Sequence, residues 1–433
     1  LKPGPIDFVE SVDAEGDLLH VKLKDSGFTH IVAGDRFIFG LHQGGHGATI
    51  DVKRSADVLL EDYTIYSAKF GMHHTFSDNQ GRVHVRRGNI TFRPGTDRLI
   101  TSIKDGFHCK HNAIGPIIEE CLLEGMMDDA INISVCPYWV KEDLGNNRYL
   151  IAEVVFSPRV GDRLMAYTPN PGIVTPELKV LSVEPQKKGR GVWNIITLDQ
   201  PIPGLALHTL GDLFPGGHDR LKFTGLYNLD ACGKDYMVRN NRFLPQRRHA
   251  LLARGVGGLF EGNLVDGNNG NGVCLGNEVG SFYEGPFPGD TIIRDNTFKG
   301  VGWYPVQVYT RGKGASAKGI TIENNRFHGW EKSAILLSNV EGGSITRNVI
   351  GPGRSDPAKS KAVVVQGSKN VHIENNIVTD NRPGVAVYDL NSGTEVSETG
   401  LPGFDDKLTA SFHGFSGTQG SNGWNYGVVQ TTA

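Results

Sequence analysis

The sequence predicts an all-β protein: a right-handed parallel β-helix with a small β-barrel inserted into it and part of another β-barrel before it. Three observations predict this. A short motif with an asparagine at its third position recurs through the second half of the chain. The 57 glycines and 38% apolar residues in 433 suit a turn-rich β architecture. Segments with helical periodicity are scarce.

The motif reads Val238-Arg239-Asn240-Asn241-Arg242-Phe243, then Phe260-Glu261-Gly262-Asn263-Leu264-Val265, Ile293-Arg294-Asp295-Asn296-Thr297-Phe298 and Ile322-Glu323-Asn324-Asn325-Arg326-Phe327. Ile345-Thr346-Arg347-Asn348-Val349-Ile350 and Ile373-Glu374-Asn375-Asn376-Ile377-Val378 follow. A repeat of this length, with alternating apolar residues and an asparagine at the turn, fits stacked coils whose asparagines satisfy backbone groups at each bend. The variable spacing is loops. The same frame extends back through Leu60–Ile65, Asn89–Phe92 and Ile118–Leu123, where Cys121 takes the ladder position and is expected to pack.

Two stretches break the period, and both begin Gly-Asp-Arg: Gly34-Asp35-Arg36 and Gly161-Asp162-Arg163. They read as one module used twice. Strand-like runs at Tyr149–Phe156, Leu178–Val183 and Val192–Leu198, parted by Pro and Gly, mark the second as a barrel. The expected organisation is therefore residues 1–45, the end of an N-terminal barrel-like module; 46–148, the first part of the β-helix; 149–207, the inserted barrel; and 208–392, the second part of the β-helix. Residues 393–433, aromatic and glycine-rich from Ser411 to Tyr426, read as a tail or the start of an accessory β-sandwich.

A formal charge of -3 gives no basic field for nucleic acid or an anionic membrane, so neutral partners are expected. No apolar run reaches the ~20 residues that span a bilayer. The five cysteines, Cys109, Cys121, Cys136, Cys232 and Cys274, form neither a disulfide framework nor a CxxC pair. The start, Leu1-Lys2-Pro3, lacks a methionine and a signal-peptide core, so the natural N-terminus is expected to lie outside this chain.

Chemistry concentrates in Lys104-Asp105-Gly106-Phe107-His108 and, 23 residues after Asp105, in Met127-Asp128-Asp129-Ala130. That interval is about one coil. Asp105 and Asp128 are thus expected at equivalent places on adjacent coils, roughly 5 Å apart, with Asp129 beside them. Carboxylates crowded in this way cannot all ionise normally, and at least one should rise toward neutrality, as general acid catalysis requires. His108 and Lys110 follow Asp105 with the two-residue period of one strand face, and with His74 on the preceding coil and Asn132 they are candidate binding residues beside the acids. Glu284, Trp303 and Tyr304 lie in non-repeat loops as candidate pocket walls. The His73-His74 pair lacks supporting metal ligands, so neither a metal nor another cofactor is expected.

With the coils laid out, the chain from about residue 30 to 380 resembles glycoside hydrolase family 110. The resemblance rests on Ile65-Tyr66-Ser67, Arg93-Pro94-Gly95, Arg98-Leu99-Ile100, Asp105-Gly106-Phe107-His108, Gly115 to Cys121, Leu122-Leu123-Glu124-Gly125 and Met127 to Asn132, with Glu284 to Pro288 and Ile293 to Phe298 downstream. It implies an exo-acting, inverting and metal-independent α-1,3-galactosidase, secreted or periplasmic in a bacterium, acting on a galactose-containing oligosaccharide or polysaccharide. It also implies β-barrels before and inside the helix. Gly71 to Phe76 and the loop Gly276 to Pro288 follow no pattern in that resemblance.

An inverting glycosidase needs one protonated carboxyl at the leaving oxygen and a carboxylate that activates water. Asp128 is the expected acid, with Asp105 and Asp129 positioning and deprotonating water. Three alternatives stay open from sequence: another inverting β-helix glycosidase of the polygalacturonase kind, a polysaccharide lyase, and a β-helix that binds glycans without turnover. Homo-oligomerisation is open as well.

Overall fold

The structure is a computed structural model. It describes residues 47–380 except 69–70, 154, 189, 210–220, 280–281 and 357–360, together with residues 9–15, 18–23, 34, 36–39, 382, 386–391, 395–397, 415–419 and 425–429. Parallel strands stack in register into a 17-stranded and a 10-stranded sheet among the described residues. A coil such as Leu259–Glu261, Leu264–Asp266 and Val273–Gly276 gives two strands to the larger sheet and one to the smaller.

The bend between the first two strands explains the motif. The residue before each ladder asparagine adopts a left-handed backbone, as at Asn240, Gly262, Asp295, Asn324, Arg347 and Asn375. Gly and Asn tolerate that region best, hence the Asn-Asn and Gly-Asn pairs. The asparagine that follows turns inward and its Oδ1 accepts the backbone N–H of its counterpart one coil earlier. Asn241 donates to Asn263 at 2.9 Å, Asn263 to Asn296 at 2.8 Å, Asn296 to Asn325 at 3.0 Å, Asn325 to Asn348 at 2.9 Å and Asn348 to Asn376 at 3.0 Å. Cys121 stands at the head of this ladder, its N–H donating to Asn241 Oδ1 at 2.9 Å, and its thiol is buried as expected.

Alternation along each strand sends one set of side chains into the core. Val238, Phe260, Ile293, Ile322, Ile345 and Ile373 are fully buried at equivalent places in the larger sheet, and Phe107, Ile131, Leu251, Val273, Val306 and Ile335 in the smaller one. Removing any one of the large members should cost about 3 to 5 kcal/mol. The other set of side chains on the smaller sheet faces outward, and that face carries the site.

The inserted barrel is closed and has six strands, in the order Tyr138–Asp143, Arg148–Glu153, Val192–Leu198, Ile173–Gln186, Arg163–Thr168 and Gly225–Asn228. It reaches beyond residues 149–207 on both sides. A barrel has no free edge, and the first and last strands, which pair Tyr138 with Leu226, are the ones that close it. Both are short runs that blend into the coil pattern in sequence.

Within residues 1–45, Val9–Glu15 and Leu18–Leu23 form an antiparallel hairpin, and Arg36–Phe39 pairs with Asn425–Val429. The remaining parts of the expected modules at 1–45 and 393–433 lie outside the described residues. All five cysteines are free and buried.

Candidate active site

The strand Phe107–Lys110 pairs in parallel with Ile131–Ser134 on the next coil, setting Phe107 opposite Ile131 and His108 opposite Asn132. Continuing that register two residues back sets Asp105 opposite Asp129. The Gly106 N–H donates to the Asp129 carbonyl at 2.9 Å, as this register requires. The expected pairing of Asp105 with Asp128 is therefore off by one residue: partners on these coils lie 24 positions apart rather than 23. Asp128 stands one step further along, and the three carboxylates still converge, with one oxygen from each within 4.8 Å of the others.

The next coil returns after the barrel as Leu251–Ala253, with Leu251 opposite Ile131. This places His249 beside Asp129 and Arg248 beside Asp128. The His249 backbone N–H donates to Asp129 Oδ1 at 3.2 Å. The Arg248 guanidinium stands 3.7 Å from Asp128 and 3.8 Å from Asp129. The trio spacing would admit a divalent cation, yet Arg248 already supplies positive charge between two of its members.

The environments of the three acids differ. Asp105 and Asp129 are buried, whereas the Asp128 side chain keeps 25% of its exposure. Burial, the Asp128 carboxylate and Glu284 push Asp105 well above the usual carboxylate range. Burial does the same to Asp129, where Arg248 opposes the rise and Asp128 and Asp105 add to it. The His108 Nδ1 meets Asp105 Oδ2 at 2.5 Å. Burial and then Lys110 hold His108 down to about 3, so the imidazole is neutral at neutral pH.

Further along the same outward face, Lys110 follows His108 and pairs with Glu284 at 2.8 Å. Arg254 binds the other oxygen of that carboxylate at 3.2 Å. Burial opposes ionisation of Glu284, but Lys110 and Arg254 outweigh it and hold the acid at about 2. The loop bearing Glu284 is fixed by the pairing of Gly285 with Val135, just past Asn132.

The structure thus gathers Asp105, Asp128, Asp129, His108, Lys110, Asn132 and Glu284 on one face. Asn132 lies between His108 and Leu252 and accepts the Ser134 hydroxyl at 3.0 Å. Trp303, 42% exposed, occupies the same row as Asp128 and Arg248 but three coils on, roughly 14 Å along the axis at ~4.8 Å per coil. Its ring nonetheless leans back to meet the His249 ring edge-on, centroids 6.0 Å apart, beside Asp129, and Lys332 sits over the Trp303 and Tyr304 rings.

His74 is a correction. It shares the inward phase of Phe76, stacks on Phe107 with ring centroids 4.2 Å apart, and receives Tyr63 Oη at 2.7 Å. Strand alternation places it in the core, out of reach of a sugar.

Arg248, His249 and Arg254 were not among the residues expected here. The segment Arg247-Arg248-His249-Ala250-Leu251 aligns with Met127-Asp128-Asp129-Ala130-Ile131, but the barrel separates them by 120 positions and hides the repeat. A second cluster, His111, Cys136 and Glu153, also brings three ligand atoms within 4.8 Å of one another, where the coil meets the barrel.

A family described as "Right handed beta helix region" matches residues 225–399. Two curated relatives are named α-1,3-galactosidases. One, α-1,3-galactosidase B of Akkermansia muciniphila, is 25% identical over 324 residues, covering 69% of this chain and 37% of its own length. The other, α-1,3-galactosidase A of Bacteroides thetaiotaomicron, is 28% identical over 320 residues, covering 69% of this chain and 52% of its own. The chain therefore spans about half or less of these relatives. Among solved structures, the surface adhesin PfbA of Streptococcus pneumoniae has a TM-score of 0.38 at 12% identity, covering 88% of this chain and 70% of its own. In keeping with its resemblance to glycoside hydrolase family 110, the chain is a right-handed parallel β-helix protein related in sequence to the α-1,3-galactosidases.

Proposed function

We propose that the chain is the catalytic part of an exo-acting glycoside hydrolase that removes terminal α-1,3-linked galactose by single displacement with inversion. The observation that carries this reading is the buried, in-register pair Asp105 and Asp129 with the more exposed Asp128 beside it. Asp128 has the open side that a leaving sugar needs and serves as the acid. Asp105 and Asp129 stand in register on adjacent coils, placed to hold one water between them, and burial and their neighbours raise both above the usual carboxylate range. The neutral His108 fixes the orientation of Asp105.

Exo action is supported by what stands beside the trio. The barrel departs at Tyr138, immediately after the strand Ile131–Ser134, and the loop carrying Glu284 pairs back onto Val135. Both therefore stand beside the strand that follows the acids, a placement that suits a site closed on one side to a longer chain. Galactose as that sugar, and the α-1,3 linkage, come from the named relatives.

One observation favours a second reading, in which the configuration is retained. Inverting pairs usually stand ~6.5 to 9.5 Å apart and retaining pairs ~5 to 5.5 Å, whereas oxygens of this trio lie within 4.8 Å. A trio escapes the pair rule because two acids can grip one water while the third protonates the leaving group. Incubation with Galα1-3Gal and with p-nitrophenyl α-galactoside tests the activity itself. Release of free galactose supports the proposal, and inertness toward every α-galactoside would overturn it.

A further inference from the structure

We propose that Arg254, together with Lys110 and Glu284, forms a specificity wall that reads vicinal hydroxyls of the terminal sugar. The inference rests on the glycosidase reading and deepens it by assigning a residue and a ligand chemistry to one side of the pocket.

The geometry is that of a built recognition surface. Lys110, Ser134 and Arg254 occupy one outward row on three successive coils. The small Ser134 leaves a gap between two cations, and the Glu284 carboxylate spans that gap, one oxygen on Lys110 and the other on Arg254. Arg254 is 3% exposed, and its Nε and Nη1 have no partner among the described residues. Buried donors left this way are costly unless a ligand or water meets them. The wall adjoins the acids: Lys110, which holds Glu284, stands two residues beyond His108 on the same strand face, and the His108 Nδ1 meets Asp105 Oδ2 at 2.5 Å.

The donor set identifies the ligand. Glu284 retains acceptor lone pairs after its two ion pairs, and the unused Arg254 N–H groups lie next to it. A hydroxyl both donates and accepts, so adjacent hydroxyls on a pyranose match a carboxylate flanked by a guanidinium. A sulfate or carboxylate would have to compete with Glu284, which already pairs with both cations. The ligand class is therefore a neutral hexopyranose with its ring hydroxyls intact.

The test compares wild type with Arg254→Met and Arg254→Lys on p-nitrophenyl α-galactoside and its 2-, 3-, 4- and 6-deoxy analogues. A site built to bond a hydroxyl rejects the analogue lacking it strongly. Wild type should disfavour at least one deoxy analogue by ~100-fold or more in kcat/KM, and Arg254→Met should bring that ratio to within about fivefold, mainly by raising KM for the parent sugar. A merely structural ion pair would lower the thermal midpoint and leave every ratio unchanged, and that result would overturn the wall while leaving the galactosidase reading intact. If Arg254→Met does not fold, Arg254→Lys decides by the same ratios. If wild type cleaves no α-galactoside, the activity reading fails separately, and the wall is judged by thermal shift with galactose and the deoxygalactoses: stabilisation lost in the variant supports it, and equal stabilisation overturns it.

Discussion

Asp105 and Asp129 face each other on adjacent coils, their strands tied by the Gly106 N–H on the Asp129 carbonyl at 2.9 Å. Parallel stacking fixes their separation, so neither can move away from the other without breaking the ladder. Burial and the carboxylates around them raise the pKa of both, and in the proposed reaction they hold the attacking water. Replacing Asp105, Asp128 or Asp129 by Asn should each lower kcat by ~10² to 10⁴. Asn keeps the shape and most hydrogen bonds, so the fold should persist. Steady-state kinetics on an α-galactoside, with and without EDTA, measures this. A variant retaining over a tenth of wild-type kcat removes that residue from the machinery, and loss of wild-type activity in EDTA would bring a metal into the trio.

The same pair predicts an unusual pH dependence of stability. Asp105 and Asp129 have pKa values raised on folding, so the folded protein binds more protons than the unfolded chain. Their contribution is fully present below the unfolded value of about 3.9 and is lost as pH rises through the folded value. Asp105→Asn and Asp129→Asn should therefore stabilise the protein near pH 8 and flatten its pH profile on the alkaline side. Thermal midpoints between pH 4 and 8 provide the check, and variants less stable than wild type at pH 8 would contradict it.

His74 titrates in the opposite sense. Burial holds it at about 3, below its ordinary value. Stability from the neutral imidazole is present above the unfolded value near 6.5 and lost as pH falls toward 3, about 2 kcal/mol by pH 5. His74→Phe keeps a ring against Phe107 and should weaken the acid sensitivity while leaving kcat nearly unchanged. A large fall in kcat would return His74 to the site.

The fold was legible because the chain repeats its own solution. Asn241, Asn263, Asn296, Asn325, Asn348 and Asn376 each mark one bend, and a single motif seen six times outweighs the irregular loops between. The acids were legible for a related reason: Asp105 and Asp128-Asp129 stand close to one coil apart. Their register was not, because the loop before Asp105 differs in length from the one before Asp128, and one residue decides which acids pair. The inward phase of His74 could be counted from Met72 and Phe76, two residues to either side, but a histidine is less often fully buried than an apolar residue, so residue type pointed to the site instead. Arg248 and Arg254 were out of reach for a topological reason, the barrel that separates neighbouring coils by 120 positions.

Asn296 offers a direct measure of the ladder. Its Nδ2 donates to the Phe260 carbonyl and to Asn325 Oδ1, both at 2.9 Å, and its Oδ1 accepts from Asn263. Asn296→Ala leaves several buried groups unsatisfied at about 1 to 3 kcal/mol each. A loss of about 3 kcal/mol or more is expected in urea unfolding. A loss under about 1 kcal/mol would mean that water replaces the amide and that the ladder contributes little.

The anomeric outcome separates the two mechanistic readings. In the proposed single displacement, the Asp105 and Asp129 pair activates a water that attacks the anomeric carbon as Asp128 protonates the departing oxygen. No glycosyl-enzyme forms, and the first product is β-galactose. Were one aspartate to attack instead, two inversions would return α-galactose, and the close spacing of the trio would be that of a nucleophile and its acid. Proton NMR in the first minutes, before mutarotation mixes the anomers, distinguishes them. The β-anomer appearing first is the expected result. An initial α-anomer would assign the nucleophile to one of the buried pair, and Asp128 would then have to serve as acid and base in turn.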